Sequence, residues 1–376
     1  MKPLRYALAI LLTVMPVVPV AQAVAAPPAR VDVYTTPGTH FVNGRQWTTS
    51  CEPYSSSVYR CRTNIWASQI ARTKAGQYET KQGWVFNNLT YLPAPRATWA
   101  NNPLAAGGRV GGTAAWTGPD GRRWRTECDT TTTGSNGCRS YAWTSVATRT
   151  SAGYTTVSTW VFNNIVRFGP SSVAPPKPCQ LAVEGIKVDL QPAQTTATVV
   201  KTSGTRAVVT MVKRAAPGSC DVETVFTDSS GWIGYGGAVP ASSRKQSTGT
   251  TPQGTFTISE GFGLAPDPGT SLPYRRPTSD SYWVLDPQSP FYNQWREGSS
   301  GGFQKGDSER LVDFPGQYAY AAVIDYNRWP AVQGKGGAIF LHVHGKGTTA
   351  GCVSVTAENM KTFLRNVTVG DPITIK

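Results

Sequence analysis

The odd number of cysteines limits what this chain can fold into more than any other feature. The seven are Cys51, Cys61, Cys128, Cys138, Cys179, Cys220 and Cys352. The first four make two pairs, each enclosing nine residues, inside two segments that repeat one another. The next two flank the start of the following region and are predicted to form a third pair. Cys352 is left over, just after His342 and His344, which makes it a candidate nucleophile; the alternative is a buried structural cysteine.

The N-terminus has the pattern of a secretory signal peptide, predicted over residues 1–26. Lys2 and Arg5 precede an apolar run at 7–20, and small residues follow it. Pro16 and Pro19 interrupt the run, and no later segment is apolar enough to cross a bilayer, so no stable membrane anchor is expected. Export makes disulfides expected, which supports the cysteine pairing.

Composition favours a mainly β fold. The 376 residues include 38 glycines and 28 prolines, together with many Thr, Ser, Val and Tyr, which suit short strands and turns better than long helices. The formal net charge is +14. For an exported chain this predicts attraction to anionic wall polymers or membrane surfaces and not to nucleic acid. The alternative is a basic composition without a specific partner, because the charges are dispersed.

The front half is an internal duplication that predicts two small β-rich modules, at 31–91 and 108–169. The Asn-Gly pair at 43–44 returns as Asp-Gly at 120–121, and Trp-Val-Phe-Asn-Asn at 84–88 returns at 160–164. These dipeptides indicate hairpin turns, and one disulfide would stabilise each module. The Pro-rich stretch 170–178 reads as a linker.

The aromatic residues of the modules allow two interpretations. They could form a sugar-binding surface, or Trp47, Trp66, Trp84 and their counterparts could be the core of the modules; we favour the core. Two modules ahead of a further domain also suggest targeting, because two weak contacts on one chain raise avidity.

The back half, 179–376, reads as short strands with one helix. Strands are predicted around 197–200, 207–212, 255–258, 321–324 and 373–375. Met360, Phe363, Leu364 and Val367 follow helical spacing, and Thr356 is a suitable N-cap.

The segment around the leftover cysteine is predicted to form two strands that border a cleft. Alternation places Ile339, Leu341 and Val343 on one face, and Phe340 with His342 and His344 on the other. In the second strand, Cys352 and Ser354 share a face. The glycine-rich stretch 345–351 lies between them and would allow the thiol and an imidazole to meet.

This combination suits cysteine acyl chemistry. An imidazole can take the thiol proton and return it to a leaving amine. The backbone N–H groups of Gly351 and Cys352 are candidates for stabilising the oxyanion. Metal binding by His342, His344 and Cys352 is the rival, but a fourth ligand at recognisable spacing is lacking, so no metal and no cofactor are expected.

The stretch from about 185 to 376 resembles the catalytic domain of the YkuD-type L,D-transpeptidases, enzymes that crosslink peptidoglycan, in three blocks of short segments. The blocks are Thr-Pro-Gln-Gly-Thr-Phe at 251–256; Trp-Val-Leu-Asp-Pro at 283–287 with Phe-Tyr-Asn at 291–293; and Ile-Asp-Tyr-Asn at 324–327 with Ala-Ile-Phe-Leu-His-Val at 338–343 and Thr-Ala-Gly-Cys-Val at 349–353. The resemblance implies a YkuD-like β-sandwich with a short helix, located in the cell wall.

The chain departs from the best-known family signature at two positions. Ala350 stands where a histidine is usual, and Ser354 stands where Arg or Asn is usual. The Ala-Gly-Cys form resembles a secreted branch in which the histidine on the Phe-Leu-His-Val strand remains. That correspondence makes His342 the base and Cys352 the nucleophile. It leaves His344 as either a substrate contact or a bystander.

Further residues are candidate substrate contacts, although for the aromatic ones core packing is an equal alternative. They are Thr349, Ser354, Trp283, Tyr292, Tyr326 and Asn327.

The resemblance implies acyl transfer between peptidoglycan stem peptides through a thioester. Two alternatives stay open: an L,D-carboxypeptidase with water as the acceptor, and a wall-binding protein whose catalytic domain is degenerate.

Overall fold

The repeated front half builds one sheet from alternating, aromatic-rich strands. The computed structural model describes residues 31–151 and 153–376, so the predicted signal peptide lies outside the described residues. The first strands are β1 (Gly38–Val42), β2 (Arg45–Pro53), β3 (Tyr59–Arg72), β4 (Tyr78–Ala94), β5 (Thr113–Thr117), β6 (Arg123–Cys128), β7 (Gly137–Thr150) and β8 (Gly153–Phe168). Short 3-10 helices at Arg96–Trp99 and Pro103–Gly108 separate the two repeats.

Each repeat forms a four-stranded antiparallel meander, and the two meanders share one sheet. Its order is β1-β2-β3-β4-β8-β7-β6-β5, with β4 and β8 pairing in parallel at the centre. Asn43 and Gly44 close the first hairpin with positive φ angles of 54° and 70°, the conformation that an Asn-Gly turn favours. Disulfides join neighbouring strands at Cys51–Cys61 and Cys128–Cys138.

The back half is a larger β domain with one helix. Its strands are β9 (Cys179–Val183), β10 (Ile186–Leu190), β11 (Thr196–Ser203), β12 (Arg206–Arg214), β13 (Val222–Trp232), β14 (Ala238–Pro240), β15 (Thr251–Phe262), β16 (Tyr274–Arg275), β17 (Ser281–Trp283), β18 (Trp295–Glu297), β19 (Glu309–Arg310), β20 (Ala321–Ile324), β21 (Phe340–Val343), β22 (Val353–Val355) and β23 (Pro372–Ile375). The third predicted disulfide, Cys179–Cys220, is present, and Cys352 is a free thiol.

Most of these strands belong to a ten-stranded sheet that closes on itself. The order β15-β20-β21-β22-β13-β12-β11-β23 is completed by pairing of β23 with β15. The helix α1 (Ala357–Asn366) packs Met360, Phe363 and Leu364 into the core enclosed by this sheet. Thr356 caps its N-terminus by accepting from Asn359 N–H. The predicted mainly β fold with one short helix is confirmed.

Strand alternation decides what each side of β21 contacts. Ile339 and Leu341 belong to the core inside the closed sheet, whereas Phe340 and Cys352 belong to a second core. That second core lies between β20–β21 and the small sheet β18-β17-β19. The predicted faces of Ile339, Leu341, Phe340 and Cys352 are confirmed. They put Cys352 outside the closed sheet, where a cleft can form.

Residues 32–376 form one compact unit. Within the described part of the chain, no helix has both the length and the apolar character that crossing a bilayer requires.

Candidate active site

A cavity of about 790 Å³ is lined by Ala338, His342 and Gly345, which lie before, within and after β21, and by Cys352, which immediately precedes β22. Cys352 and His342 both line it, together with Arg244, Glu309, Tyr318 and Thr349. These residues come from separate parts of the back half, and the strand pairing described above brings them together. A volume of this size is typical of small-molecule sites.

The Cys352 thiol lies at the buried wall of the cavity, and the residue is 8% exposed. Its Sγ accepts from Phe340 N–H at 3.4 Å and donates to the Ala338 carbonyl at 3.3 Å. Burial raises the pKa of this thiol to about 12, and the nearby Glu309 carboxylate acts in the same direction. The sulfur is therefore a neutral thiol at pH 7 in this conformation.

The turn before Cys352 is held by Thr349. Its Oγ1 donates to the Cys352 carbonyl at 2.6 Å and accepts from Gly351 N–H at 3.1 Å. Gly351 has a φ of +141°, and a Cβ there would lie 2.9 Å from the Thr250 carbonyl oxygen, so only glycine fits. Gly351 N–H is thus engaged in this conformation, whereas Cys352 N–H has no hydrogen-bond partner among residues 31–151 and 153–376. The oxyanion role of both groups stays a prediction.

His342 is oriented by its own backbone neighbour. Its Nδ1 lies 2.7 Å from the Val343 carbonyl oxygen. A carbonyl can only accept, so Nδ1 carries the proton and Nε2 keeps its lone pair. Burial lowers the pKa of His342 to about 4, which leaves the ring neutral and able to accept a proton at pH 7. No hydrogen bond joins His342 to Cys352 within the described residues, although both line the same cavity.

His344 belongs to a different polar network. Its Nδ1 lies 3.0 Å from Ser354 Oγ and its Nε2 lies 2.9 Å from Ser230 Oγ, which in turn donates to Asp228. Burial alone would raise the pKa of Asp228, but hydrogen bonds from Ser230, Asn359 and Thr356 lower it to about 2. His344 and Ser354 therefore support the strand ends behind His342 and do not line the cavity.

A carboxyl group and a phenol line the cavity together with the thiol. Tyr318, 5% exposed, donates its phenol to the Glu309 carboxylate and packs edge-on against the His342 ring at 5.6 Å between centroids. Burial raises the pKa of Glu309 to about 7, although the bond from Tyr318 opposes this. Glu309 is thus close to half-ionised at neutral pH, next to the candidate nucleophile.

Arg244 brings a buried positive charge to the same place. It is 4% exposed, and its Nε and Nη1 donate to the carbonyls of Thr250 and Lys335 at 2.7 and 2.9 Å. Its Nη2 has no partner among the described residues and lies 3.0 Å from the position of a Cβ at Gly351. Its charge lowers the pKa of Cys352, against the dominant effect of burial.

Comparison with known proteins identifies the domain that contains this site. The family model for the L,D-transpeptidase catalytic domain, YkuD, matches residues 186–375. The chain belongs to the YkuD L,D-transpeptidase family. Members of this family are cysteine acyltransferases, and the family implies peptidoglycan stem peptides as substrates. Among curated protein sequences, no significant match was found.

Solved structures of mycobacterial L,D-transpeptidases also resemble the chain, with low scores. L,D-transpeptidase 1 of Mycobacterium tuberculosis is 14% identical, with 62% of this chain and 82% of that chain covered and a TM-score of 0.24. For L,D-transpeptidase 3 of the same organism the values are 13%, 62%, 79% and 0.25. An L,D-transpeptidase from Mycobacterium smegmatis is 12% identical, with coverages of 82% and 99% and a TM-score of 0.24.

Of the predicted residues in this L,D-transpeptidase domain, the structure brings Cys352, His342, Gly351 and Thr349 together. Besides His344 and Ser354, four further predicted substrate contacts do not line the cavity. They are the buried residues Trp283, Tyr292 and Tyr326, and Asn327.

These four residues instead support the cavity wall, which agrees with the core-packing alternative. Trp283 Nε1 donates to Asn293 Oδ1 at 2.7 Å, and its ring packs on Phe340. The Tyr292 hydroxyl accepts from Gly336 N–H at 2.8 Å, and Asn327 Nδ2 donates to the Gly336 carbonyl at 2.7 Å.

Sequence reasoning missed Arg244, Glu309 and Tyr318. Glu309 and Tyr318 lie in an irregular segment with little periodicity, and Arg244 precedes the first recognisable motif. No local pattern marks them. Glu309 is one of five charged residues within 305–313, and Arg244 is followed by Lys245, so charge does not distinguish either residue from surface residues.

Proposed function

We propose that this chain is an exported L,D-transpeptidase that crosslinks peptidoglycan in the cell wall. The observation that carries the proposal is that the only free thiol of the described residues, Cys352, opens into the same cavity as a neutral imidazole, His342. The cystine-rich front half, typical of extracytoplasmic proteins, is consistent with export.

The proposed reaction begins on a donor stem peptide. Because both groups are neutral at pH 7, the thiol proton moves to His342 Nε2 as the sulfur attacks the carbonyl of the third residue. The donor must first displace the bond between the thiol and the Ala338 carbonyl. The oxygen of the tetrahedral intermediate then accepts hydrogen bonds from Cys352 N–H and from Arg244 Nη2, which has no partner in the described residues.

The second half of the reaction reverses the proton movement. His342 gives its proton to the departing amine, which leaves as D-alanine, and a thioester remains on Cys352. The side-chain amine of a second stem then attacks this thioester, passes a proton to His342 and regenerates the thiol. The product is a three-to-three crosslink. Water in place of the amine would yield a carboxypeptidase product.

The proposal is tested by incubating the full chain with disaccharide-tetrapeptide muropeptides and identifying products by mass spectrometry. Crosslinked dimers are expected from the wild type and not from Cys352→Ala. Free D-alanine without dimers would favour the carboxypeptidase, and activity retained by Cys352→Ala would refute a role of this thiol.

A carbapenem provides a second, independent measurement. Its strained ring should acylate Cys352, which would add its mass to the cysteine-containing peptide. The six disulfide-bonded cysteines are the internal control, because they cannot be acylated. Absence of both the adduct and any product would refute the enzymatic proposal and favour the wall-binding alternative.

A further inference from the structure

The two repeats of the front half direct their equivalent residues to opposite faces of the shared sheet. The sequence repeat equates Asn88 with Asn164, but in the sheet Leu89 is the residue that pairs with Asn164. Paired residues on neighbouring strands point to the same face, whereas adjacent residues on one strand point to opposite faces. Each repeat must therefore cover its own polar core with a separate segment of chain.

In the first repeat, the covering segment fills the space over the sheet. The Val33 carbonyl accepts from Thr63 Oγ1 at 3.4 Å, and the following residue, Tyr34, packs edge-on against Trp47 with centroids 6.0 Å apart. Trp47 is thereby covered by an aromatic ring of the same repeat.

In the second repeat, the corresponding space is open. The Leu104 carbonyl accepts from Ser140 Oγ, the equivalent of Thr63, at 3.4 Å. The residue after Leu104 is Ala105, which has no ring to cover Trp124, the equivalent of Trp47. Trp116 stacks on Trp124 instead, with centroids 5.8 Å apart and planes inclined by 10°.

A groove of about 770 Å³ results, with aromatic walls and amide side chains. Trp116, Trp124 and the 38% exposed Tyr54 supply the rings. Asn101 and Asn163 also line the groove, and their side chains have no hydrogen-bond partner within residues 31–151 and 153–376. Asn163 is the unpaired residue of a β-bulge between Phe162 and Asn164, so the strict alternation of faces is interrupted there.

The floor of the groove adds a buried amide. Asn164 is 1% exposed and lines the groove. Its Nδ2 donates to Ser140 Oγ at 3.2 Å, while its Oδ1 accepts from no group in the described chain. The groove thus offers amide acceptors and donors that the protein itself leaves unused, which favours a ligand rich in polar hydrogens.

We propose that this groove binds a β-linked glycan chain of N-acetylated sugars. The C–H faces of sugar rings suit flat aromatic walls, and hydroxyl and acetamido groups both donate and accept, as the free amides require. A polyanion fits less well, because Asp120 lines the groove while Arg123 and Arg125 alternate with Trp124 and so point to the other face. The choice of N-acetylated sugars rests on the proposed function, whereas the groove itself does not.

The test uses the full chain carrying Cys352→Ala, so that binding is measured without turnover. Calorimetric titration with a β-1,4-linked N-acetylglucosamine tetramer should give saturable binding, accompanied by a change in tryptophan fluorescence. Trp116→Ala and Trp124→Ala should each weaken binding roughly tenfold, the factor that corresponds to about 1.4 kcal/mol. Asn163→Ala, which removes a half-buried amide without a hydrogen-bond partner among the described residues, should weaken it several-fold.

Trp84→Ala is the matched control. Trp84 is a tryptophan of the same sheet that lies outside the groove and is 37% exposed, whereas Trp116 and Trp124 are half-buried. Its removal should leave binding unchanged. The proposal is overturned if no saturable binding occurs, if Trp84→Ala weakens binding as much as Trp116→Ala, or if a proline decamer binds the groove in preference to the sugar.

The two proposals fail separately. Loss of sugar binding with carbapenem acylation intact would remove only the glycan site. Sugar binding without acylation or crosslinking in the protein that retains Cys352 would remove only the proposed enzymatic function.

Discussion

Replacing Glu309 with glutamine should stabilise the protein above neutral pH. Glu309 is a partly buried carboxyl beside the Cys352 thiol, and its one hydrogen bond comes from the Tyr318 phenol. Glutamine has nearly the same shape and still offers an oxygen to Tyr318, so the substitution removes the charge and keeps the contact. The expected effect is therefore electrostatic.

The magnitude follows from the pKa of Glu309, which burial raises from 4.5 to about 7. Between these two values the folded protein binds more protons than the unfolded chain, so the free energy of unfolding falls as pH rises through this window. At about 1.4 kcal/mol per pH unit, the whole window corresponds to about 3 kcal/mol. Below pH 4.5 the carboxyl is neutral in both states and contributes nothing of this kind.

The measurement is urea unfolding of the wild type and Glu309→Gln at pH 4.5, 6, 7 and 8, followed by tryptophan fluorescence. Relative to the wild type, the variant should gain about 3 kcal/mol between the lowest and highest pH. Asp307→Asn is the control, because Asp307 is an exposed carboxylate two positions away. A difference between wild type and Glu309→Gln that does not change with pH would refute the reasoning.

Three further predictions concern the site. His342→Gln should slow carbapenem acylation of Cys352 about 10²–10⁴-fold. Because burial lowers the pKa of His342 to about 4, the acylation rate of the wild type should fall only near pH 4. A fall in this rate near pH 6.5 would contradict the prediction. Arg244→Met should slow iodoacetamide alkylation of Cys352 at pH 8 roughly tenfold, since a nearby cation lowers the pKa of a thiol; an unchanged rate would count against Arg244. Asp228→Asn should lower the free energy of unfolding at pH 7 by about 2 kcal/mol, because folding lowers the pKa of Asp228 from the usual 3.8 to about 2. In urea unfolding, the difference from the wild type should shrink as the pH falls from 3.8 towards 2.

Local patterns predicted the secondary structure around the site well. The spacing of Met360, Phe363 and Leu364 predicted helix α1, and alternation predicted which faces of β21 meet which core. Such patterns work because the burial of one face imposes a period of 3.6 or 2 residues on the sequence. No local pattern predicts the pairing of β4 with β8 or of β15 with β23, because each pair joins strands that are distant in the chain.

The same distinction applies to the site residues. Cys352 and His342 were found because a leftover cysteine and a histidine on an alternating strand are visible in the sequence. The aromatic candidates Trp283 and Tyr326 were not separable from core residues by type alone, and the structure places both behind the cavity wall.

The sequence by itself determined the covalent and periodic features of this protein: three cysteine pairs, one spare thiol, a duplicated front half, and the strands that carry Cys352 and His342. Only the tertiary structure decided that Arg244, Glu309 and Tyr318 surround that thiol, and that the second repeat leaves an open groove beside Trp116 and Trp124. The reason is physical. Disulfide partners and the periodicity of strands can be predicted from the local spacing of residues. Burial depends on which distant segments pack together, and the pKa of each group depends on burial.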